Sequence, residues 1–226
     1  MASDSLEWQR GLYAITDAAL LPDDRTLLNA CDAALRGGLA LLQYRDKSGD
    51  DAHRWRQASA LASLCQDYAV PLIINDDTEL ALRLREAGFA GVGLHLGQGD
   101  GDLALARQRL GASALIGVTC HARLELAEHA KVEGANYVAF GRFFTSRTKP
   151  EAPPASLSLL SEAAYLGLPR VAIGGIDAHT IATARRAGAE LLASVQAVFG
   201  GSDVEARVRR LNRQLAVVDA ELAASP

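Results

Sequence analysis

Leu72-Ile73-Ile74-Asn75-Asp76-Asp77-Thr78-Glu79-Leu80 joins a short apolar run to a polar turn and then to an amphipathic stretch. The run reads as a buried strand, and Leu80, Leu84 and Ala87 after it fall at helical spacing. The same unit recurs along the chain. Strands are expected over 12–15, 39–43, 72–74, 91–96, 114–118, 137–140, 170–173 and 190–195, each followed by a helical stripe. The last stripe is the clearest, with Val204, Val208, Leu211, Leu215, Val218 and Leu222 recurring every three or four residues. Gly38, Gly88, Gly111, Gly134 and Gly188 each fall just after a helix, where a left-handed cap residue belongs. Eight such units without a linker predict an α/β chain folded as a single-domain (β/α)8 TIM barrel over residues 1–226, with a short N-terminal extension over about residues 1–10. An open doubly wound sheet is the structural rival, but no Gly-x-Gly-x-x-Gly follows the first strand.

A chain of 226 residues with 49% apolar composition and a mean hydropathy of +0.05 can bury one large core. No apolar run approaches the roughly 20 residues that a bilayer span requires. The N-terminus lacks the basic start and apolar centre of a secretory signal, so a cytoplasmic location is expected. The net charge of −4 and pI near 5.7 argue against a general nucleic-acid surface. An anionic ligand must therefore be held by a local cluster of cations. Arg207, Arg209, Arg210 and Arg213 alternate with acids and apolar residues, as on a solvated helix face. Cys31, Cys65 and Cys120 are odd in number and far apart, which disfavours a disulfide framework or a structural zinc site. Cys31 and Cys65 fall on apolar helical positions; Cys120, at a strand end, reads as a core or rim residue or as one lining a site.

In a parallel barrel the residues just past each strand converge on one mouth. Those residues are Gln43, Arg45 and Lys47, then Asn75 and Asp76, then His95 and Asp100. Thr119 and His121 follow, then Ser146, Thr148 and Lys149, Gly174-Gly175, and Val195-Gln196. Asp76 and Asp100 are a candidate magnesium pair, because Mg2+ takes one or two carboxylates together with phosphate oxygens and water. Helix capping is the alternative for either carboxylate, with Asp77 and Asp102 equally suited to cap, and spacing leaves both readings open. Arg45, Lys47 and Lys149 could clamp a pyrophosphate leaving group, or could serve as rim ion pairs with Asp46 and Asp50. Arg142 and Arg147 are expected to face solvent. Gly174-Gly175 would let backbone N–H groups approach a phosphate, before a helix expected to be capped by Asp177. The Gln43 amide offers a donor and an acceptor to a heterocycle. His121 is a candidate general base or rim residue. The polar loop over 143–155 is a candidate lid.

The run Gly38-Leu39-Ala40-Leu41-Leu42-Gln43-Tyr44-Arg45-Asp46-Lys47 resembles the strand-two motif of thiamin phosphate synthases. Ile74-Asn75-Asp76-Asp77, His95-Leu96-Gly97-Gln98-Gly99-Asp100, Thr148-Lys149-Pro150 and Ile173-Gly174-Gly175-Ile176 resemble that family's other motifs, and the similarity runs from about Leu12 to Gly200. The resemblance implies a magnesium-dependent barrel that joins hydroxymethylpyrimidine pyrophosphate to thiazole phosphate, giving thiamin phosphate and pyrophosphate. It implies that Gln43 contacts the pyrimidine, that Arg45, Lys47, Asn75 and Lys149 contact the pyrophosphate, and that Asp76 and Asp100 hold the metal. Ser146, Thr148, Gly175 and the backbone near Val195-Gln196 would take the thiazole phosphate. The chain departs from the pattern at Tyr44, at Gly99, at Thr119, where serine is frequent, and at Gln196, where serine is common. Two other functions remain open: a thiazole tautomerase of similar sequence, which would need a proton carrier such as His121, and a non-catalytic thiamin phosphate sensor. Expected partners are the two small substrates, with no nucleic acid and no membrane; a homo-oligomer is left open.

Overall fold

The structure, a computed structural model, describes residues 6–48, 50–145 and 154–224. Its eight strands are β1 (Gly11–Ile15), β2 (Leu41–Tyr44), β3 (Leu72–Asn75), β4 (Val92–Leu96), β5 (Ile116–His121), β6 (Tyr137–Phe140), β7 (Arg170–Ile173) and β8 (Leu191–Ser194). They pair in parallel in chain order, and β8 pairs back onto β1, closing the predicted barrel. The helices between and after them are α1 (Asp24–Gly37), α2 (Asp51–Asp67), α3 (Thr78–Glu86), α4 (Leu103–Leu110), α5 (Leu124–Val132), α6 (Ser158–Glu162), α7 (Ile181–Arg186), α8 (Gln196–Phe199) and α9 (Val204–Ala224). No described helix is long and apolar enough to cross a membrane.

Alternation along each strand makes two apolar layers. Leu12, Ala14, Leu42, Leu72, Ile74 and Leu94 face outward and pack against helical residues such as Leu27, Leu61 and Leu84. Tyr13, Ile15, Leu41, Ile73, Tyr137, Ala139, Val171, Leu191 and Ala193 fill the barrel interior. Both strand faces are therefore buried, and the strands read as continuous apolar runs. The interior needs small residues opposite its largest ones. A Cβ on Gly117 would lie 1.9 Å from Cζ of Tyr137, so the ring occupies the space that any other residue would fill. The segment before β1 is more than an extension, since Trp8 packs on the interior cluster with its ring centroid 6.3 Å from that of Tyr137.

Aspartates start five of the helices, α9 among them, where Asp203 accepts from Ala206 N–H at 2.9 Å. Asp23, Asp50, Asp77 and Asp102 accept from the backbone N–H of Thr26, His53, Leu80 and Leu105 at 2.8, 3.0, 2.9 and 2.8 Å. Asp177 does not cap a helix directly. It accepts from His179 and Thr180 N–H in a turn ahead of α7, whose capping residue is Thr180. Other boundaries also differ from expectation. β5 continues through His121 because Thr119 and His121 pair with Ala139 and Phe140 across an irregular register, so both residues belong to the strand. A one-turn helix, α8, follows β8 before the long α9. Leu222 is 44% exposed, so the buried stripe of α9 ends at Val218.

Replacing Gly117 by Ala is expected to lower unfolding free energy by about 2 kcal/mol, the usual cost of overpacking a filled core. A urea midpoint equal to that of wild type would show that the Tyr137 ring has room to move.

Candidate active site

β3 and β4 pair with Asn75 beside His95, which brings the turns after both strands together. A cavity of about 480 Å³ lies there, lined by Asp46, Lys47, Arg54, Asn75, Asp76, Asp77, Thr78 and Asp100. Asp76 has φ of 63°, a left-handed conformation that aspartate tolerates better than most side chains. Its N–H donates to the His95 carbonyl at 2.8 Å, which ties the turn to β4. Its Oδ2 accepts from Asn75 Nδ2 at 2.5 Å and lies 3.6 Å from Lys47 Nζ. The Asp100 carboxylate folds back over the end of β4, where a Cβ on Gly97 would come within 2.3 Å of its Oδ2. The neighbouring acids divide differently. Asp77 and Asp102 cap α3 and α4, while Asp76 and Asp100 do neither. Hard oxygen donors from two carboxylates beside a lysine suit Mg2+ that keeps its remaining positions for water and phosphate. Among the described residues no group of three or more His, Cys, Asp or Glu side chains could hold a metal by itself. A metal at this cavity would therefore take its remaining ligands from water or phosphate oxygens.

Arg54 reaches the same cavity from α2 and was not foreseen. Its guanidinium pairs with Asp77 Oδ2 at 3.1 Å and with Asp51. Nothing in a helical sequence marks such a residue, because only the packing of α2 against α3 brings it to the rim.

Further inside, five strands contribute a line of polar groups. Gln43 is 2% exposed, and its Nε2 donates to the Tyr13 hydroxyl at 2.6 Å. The Tyr13 and Tyr137 hydroxyls lie 2.8 Å apart. Nδ1 of His95 is 3.2 Å from the Tyr137 hydroxyl, and its Nε2 is 2.8 Å from Thr119 Oγ1. The His95 and Tyr137 rings stack with centroids 5.7 Å apart. Burial pushes the acidity of both tyrosine hydroxyls well below that of a free phenol, so both stay protonated. The sequence reading missed both tyrosines. The available signal was two phenols at inward positions of strands one and six, where each hydroxyl must find a partner. Arg45 follows Gln43 on the same side of β2 by alternation, with its N–H donating to Thr16 Oγ1 at 2.9 Å.

On the other side of the mouth, a second cavity of about 610 Å³ is lined by Arg142, Phe143, Phe144, Thr145, Pro154, Gly175, Asp177 and Thr180. Gly174 and Gly175 have φ of 94° and 68°, and both are packed against the segment after β6. A Cβ on Gly174 would sit 2.3 Å from that of Arg142, and one on Gly175 would sit 2.5 Å from the Thr145 carbonyl oxygen. The tight fit of these two turns is one sufficient reason for both glycines. Arg142 is half-buried rather than solvent-facing, because it is wedged under that turn. Val195 is half-buried at the end of β8. Gln196 is exposed, and its amide lies over Gly200, where a Cβ would meet its Oε1 at 2.3 Å. Ser146, Arg147, Thr148 and Lys149, with most of the expected lid, lie outside the described residues. His121 is exposed with φ of 50°, and its carbonyl accepts from Gly141 N–H at 3.0 Å, a rim position. Cys120 is fully buried in the outer apolar layer, which removes it from the mouth. Tyr44 also points outward and donates to Gln57 Oε1 at 2.9 Å.

The sequence model of one family, described as thiamine monophosphate synthase, matches residues 12–198. The thiamine-phosphate synthase of Marinobacter nauticus is 54% identical over 208 residues, which span 91% of each chain. The solved thiamine phosphate pyrophosphorylase of Pyrococcus furiosus superposes with a TM-score of 0.82 at 26% identity, over 95% of this chain and 99% of that one. A 3-dehydroquinate dehydratase from Geobacillus kaustophilus superposes with a TM-score of 0.65 at 18% identity, over 93% of this chain and 91% of that one; it shares the fold alone.

Asp102→Ala is expected to lose about 1 kcal/mol of stability with its helix cap. Asp100→Ala, which removes an exposed carboxylate outside any cap, should stay within about 0.5 kcal/mol of wild type by urea denaturation. Equal losses in the two variants would show that Asp100 also supports the fold. Burial pushes the Cys65 and Cys120 thiols up to about 12 and the Cys31 thiol well above its usual value. Native protein at pH 8 should therefore leave all three thiols unalkylated by iodoacetamide until denaturant is added. Rapid labelling of Cys120 would return it to the mouth.

Proposed function

The chain belongs to the thiamine monophosphate synthase family, and on that premise we propose that its mouth joins hydroxymethylpyrimidine pyrophosphate to thiazole phosphate through magnesium-assisted loss of pyrophosphate. The observation that carries this reading is the single cavity on which Lys47, Asn75, Asp76 and Asp100 all open. In it Asp76 and Asp100 would hold the metal, and Asn75 and Lys47 would lie against the pyrophosphate. Arg45, one strand away, and Lys149, by motif, would complete the clamp. When bound, Mg2+ would neutralise the charge that develops on the leaving pyrophosphate.

The organic chemistry asks little proton transfer of the protein. The bond between the pyrimidine methylene and the pyrophosphate oxygen breaks, and its electron pair leaves with the pyrophosphate. The aminopyrimidine ring stabilises the resulting methylene cation. The lone pair of the thiazole nitrogen then forms the new carbon–nitrogen bond. The work assigned to the chain is to orient two rings, spread negative charge over cations and exclude water. Gln43, buried in the barrel interior, is assigned to the pyrimidine, and Thr119 lines the same interior. Ser146, Thr148, Gly175 and the backbone at Val195 and Gln196 are assigned to the thiazole phosphate. The Gln196 side chain is left out of that assignment because its amide is turned over Gly200. A cytoplasmic location belongs to the same proposal, since both substrates are small, charged and phosphorylated.

Pyrophosphate release from the two substrates with Mg2+ is the direct test. Activity is expected to vanish with excess chelator and to return when magnesium is restored. Asp76→Ala and Lys149→Ala should each lower turnover by about 10²-fold or more, as when one preorganised charge-stabilising group is lost. A chain that releases no pyrophosphate, yet binds thiamin phosphate or isomerises a thiazole carboxylate phosphate, would be a sensor or a tautomerase instead.

A further inference from the structure

Gln43, Tyr13, Tyr137, His95 and Thr119 come from β2, β1, β6, β4 and β5, yet they form one continuous line of hydrogen bonds inside the barrel. Its direction follows from the first bond. Gln43 Nε2 has only hydrogens to give, so the Tyr13 oxygen accepts. The one hydrogen of the Tyr13 hydroxyl then needs an acceptor, and the Tyr137 oxygen lies 2.8 Å away. With Tyr137 accepting from Tyr13, its own hydrogen would go to Nδ1 of His95, 3.2 Å away. An imidazole that accepts at Nδ1 carries its hydrogen on Nε2, which donates to Thr119 Oγ1 at 2.8 Å. Thr119 accepts there, and its own hydroxyl hydrogen is left for a further acceptor.

We propose that the Tyr13–Tyr137–His95 line is a positioning device that holds the Gln43 amide in one orientation and keeps His95 as the neutral Nε2–H tautomer. The consequence for recognition rests on the assignment of Gln43 to the pyrimidine. With one Nε2 hydrogen committed to Tyr13, the amide keeps Oε1 as an acceptor and its second Nε2 hydrogen as a donor. An aminopyrimidine edge offers the complement, an exocyclic N–H beside a ring nitrogen. An unrestrained amide could present Oε1 and Nε2 in either order, and only one order matches that edge. Tyr13 and Tyr137 need not touch the substrate to decide which heterocycle is accepted. Trp8 against Tyr137 and the missing side chain at Gly117 hold the ring that links the two halves of the line.

The His95 tautomer is measurable without substrate, by 15N chemical shifts of the protein labelled at histidine. Wild type should show the neutral Nε2–H pattern for His95, and Tyr137→Phe should lose it to a mixture of tautomers. A wild-type Nδ1–H tautomer, an imidazolium, or a pattern unchanged by Tyr137→Phe would overturn the proposal. The wild-type spectrum needs no substitution, so a variant that failed to fold would not protect the idea. In turnover, Tyr13→Phe should raise KM for the pyrimidine pyrophosphate about tenfold and leave kcat within about twofold, consistent with losing one buried hydrogen bond used in binding. Its preference for the amino substrate over a desamino analogue should fall by a similar factor. An unchanged preference would refute the positioning role. Absence of any pyrophosphate release by wild type would instead refute the synthase reading, and the histidine spectrum would still report on the line.

Discussion

The ladder between β8 and β1, with Gly11 beside Leu191 and Ala14 beside Ser194, is the constraint on which the rest of the molecule depends. It removes both edges of the sheet and forces alternate residues of every strand into a closed interior. Once that interior is closed, its filling is prescribed. Tyr13 and Tyr137 take the centre, and Gly117 leaves the space that the Tyr137 ring occupies. Parallel closure also sends every strand end to the same mouth, so residues far apart in the chain become neighbours.

At the mouth, capping and proposed ligation compete for adjacent aspartates, and backbone conformation separates them. Asp77 and Asp102 have side chains that return to their own helices. Asp76 takes a left-handed turn and hydrogen-bonds through its backbone to β4, which leaves its carboxylate between Asn75 and Lys47. A residue held in that conformation by its surroundings is a common companion of function. The Lys47 contact gives the carboxylate a charge partner, and the proposed reaction would redirect the same lysine to pyrophosphate.

The interior supplies a second kind of order. A buried polar line is stable only when each member has a partner, and satisfaction along the line leaves little freedom in its direction. Gly174 and Gly175 on the opposite side follow a different logic. Their positive φ values admit the backbone of residues 142–145 at distances that a side chain would forbid. A phosphate role assigned to those glycines therefore stands beside a packing role that the structure already accounts for.

The fold was legible because each unit carries its own instructions: an apolar run, an aspartate or polar turn, a helical stripe and a glycine stop. Those are local signals, and the eight strands and most helices lie where they predict. The capping roles of Asp77 and Asp102 were half legible, since spacing could not separate them from Asp76 and Asp100. The continuation of β5 through His121, the short α8, the wedged Arg142 and the arrival of Arg54 at the cavity were not legible, because each depends on a neighbouring element. The repeated strand–helix order and the polar chemistry after each strand are local properties, written in spacing and residue type. Which aspartates cap, which face the cavity, and the joining of Gln43 to His95 through two tyrosines emerge only on closure of the barrel, because hydrogen bonds across it link residues that no local spacing relates.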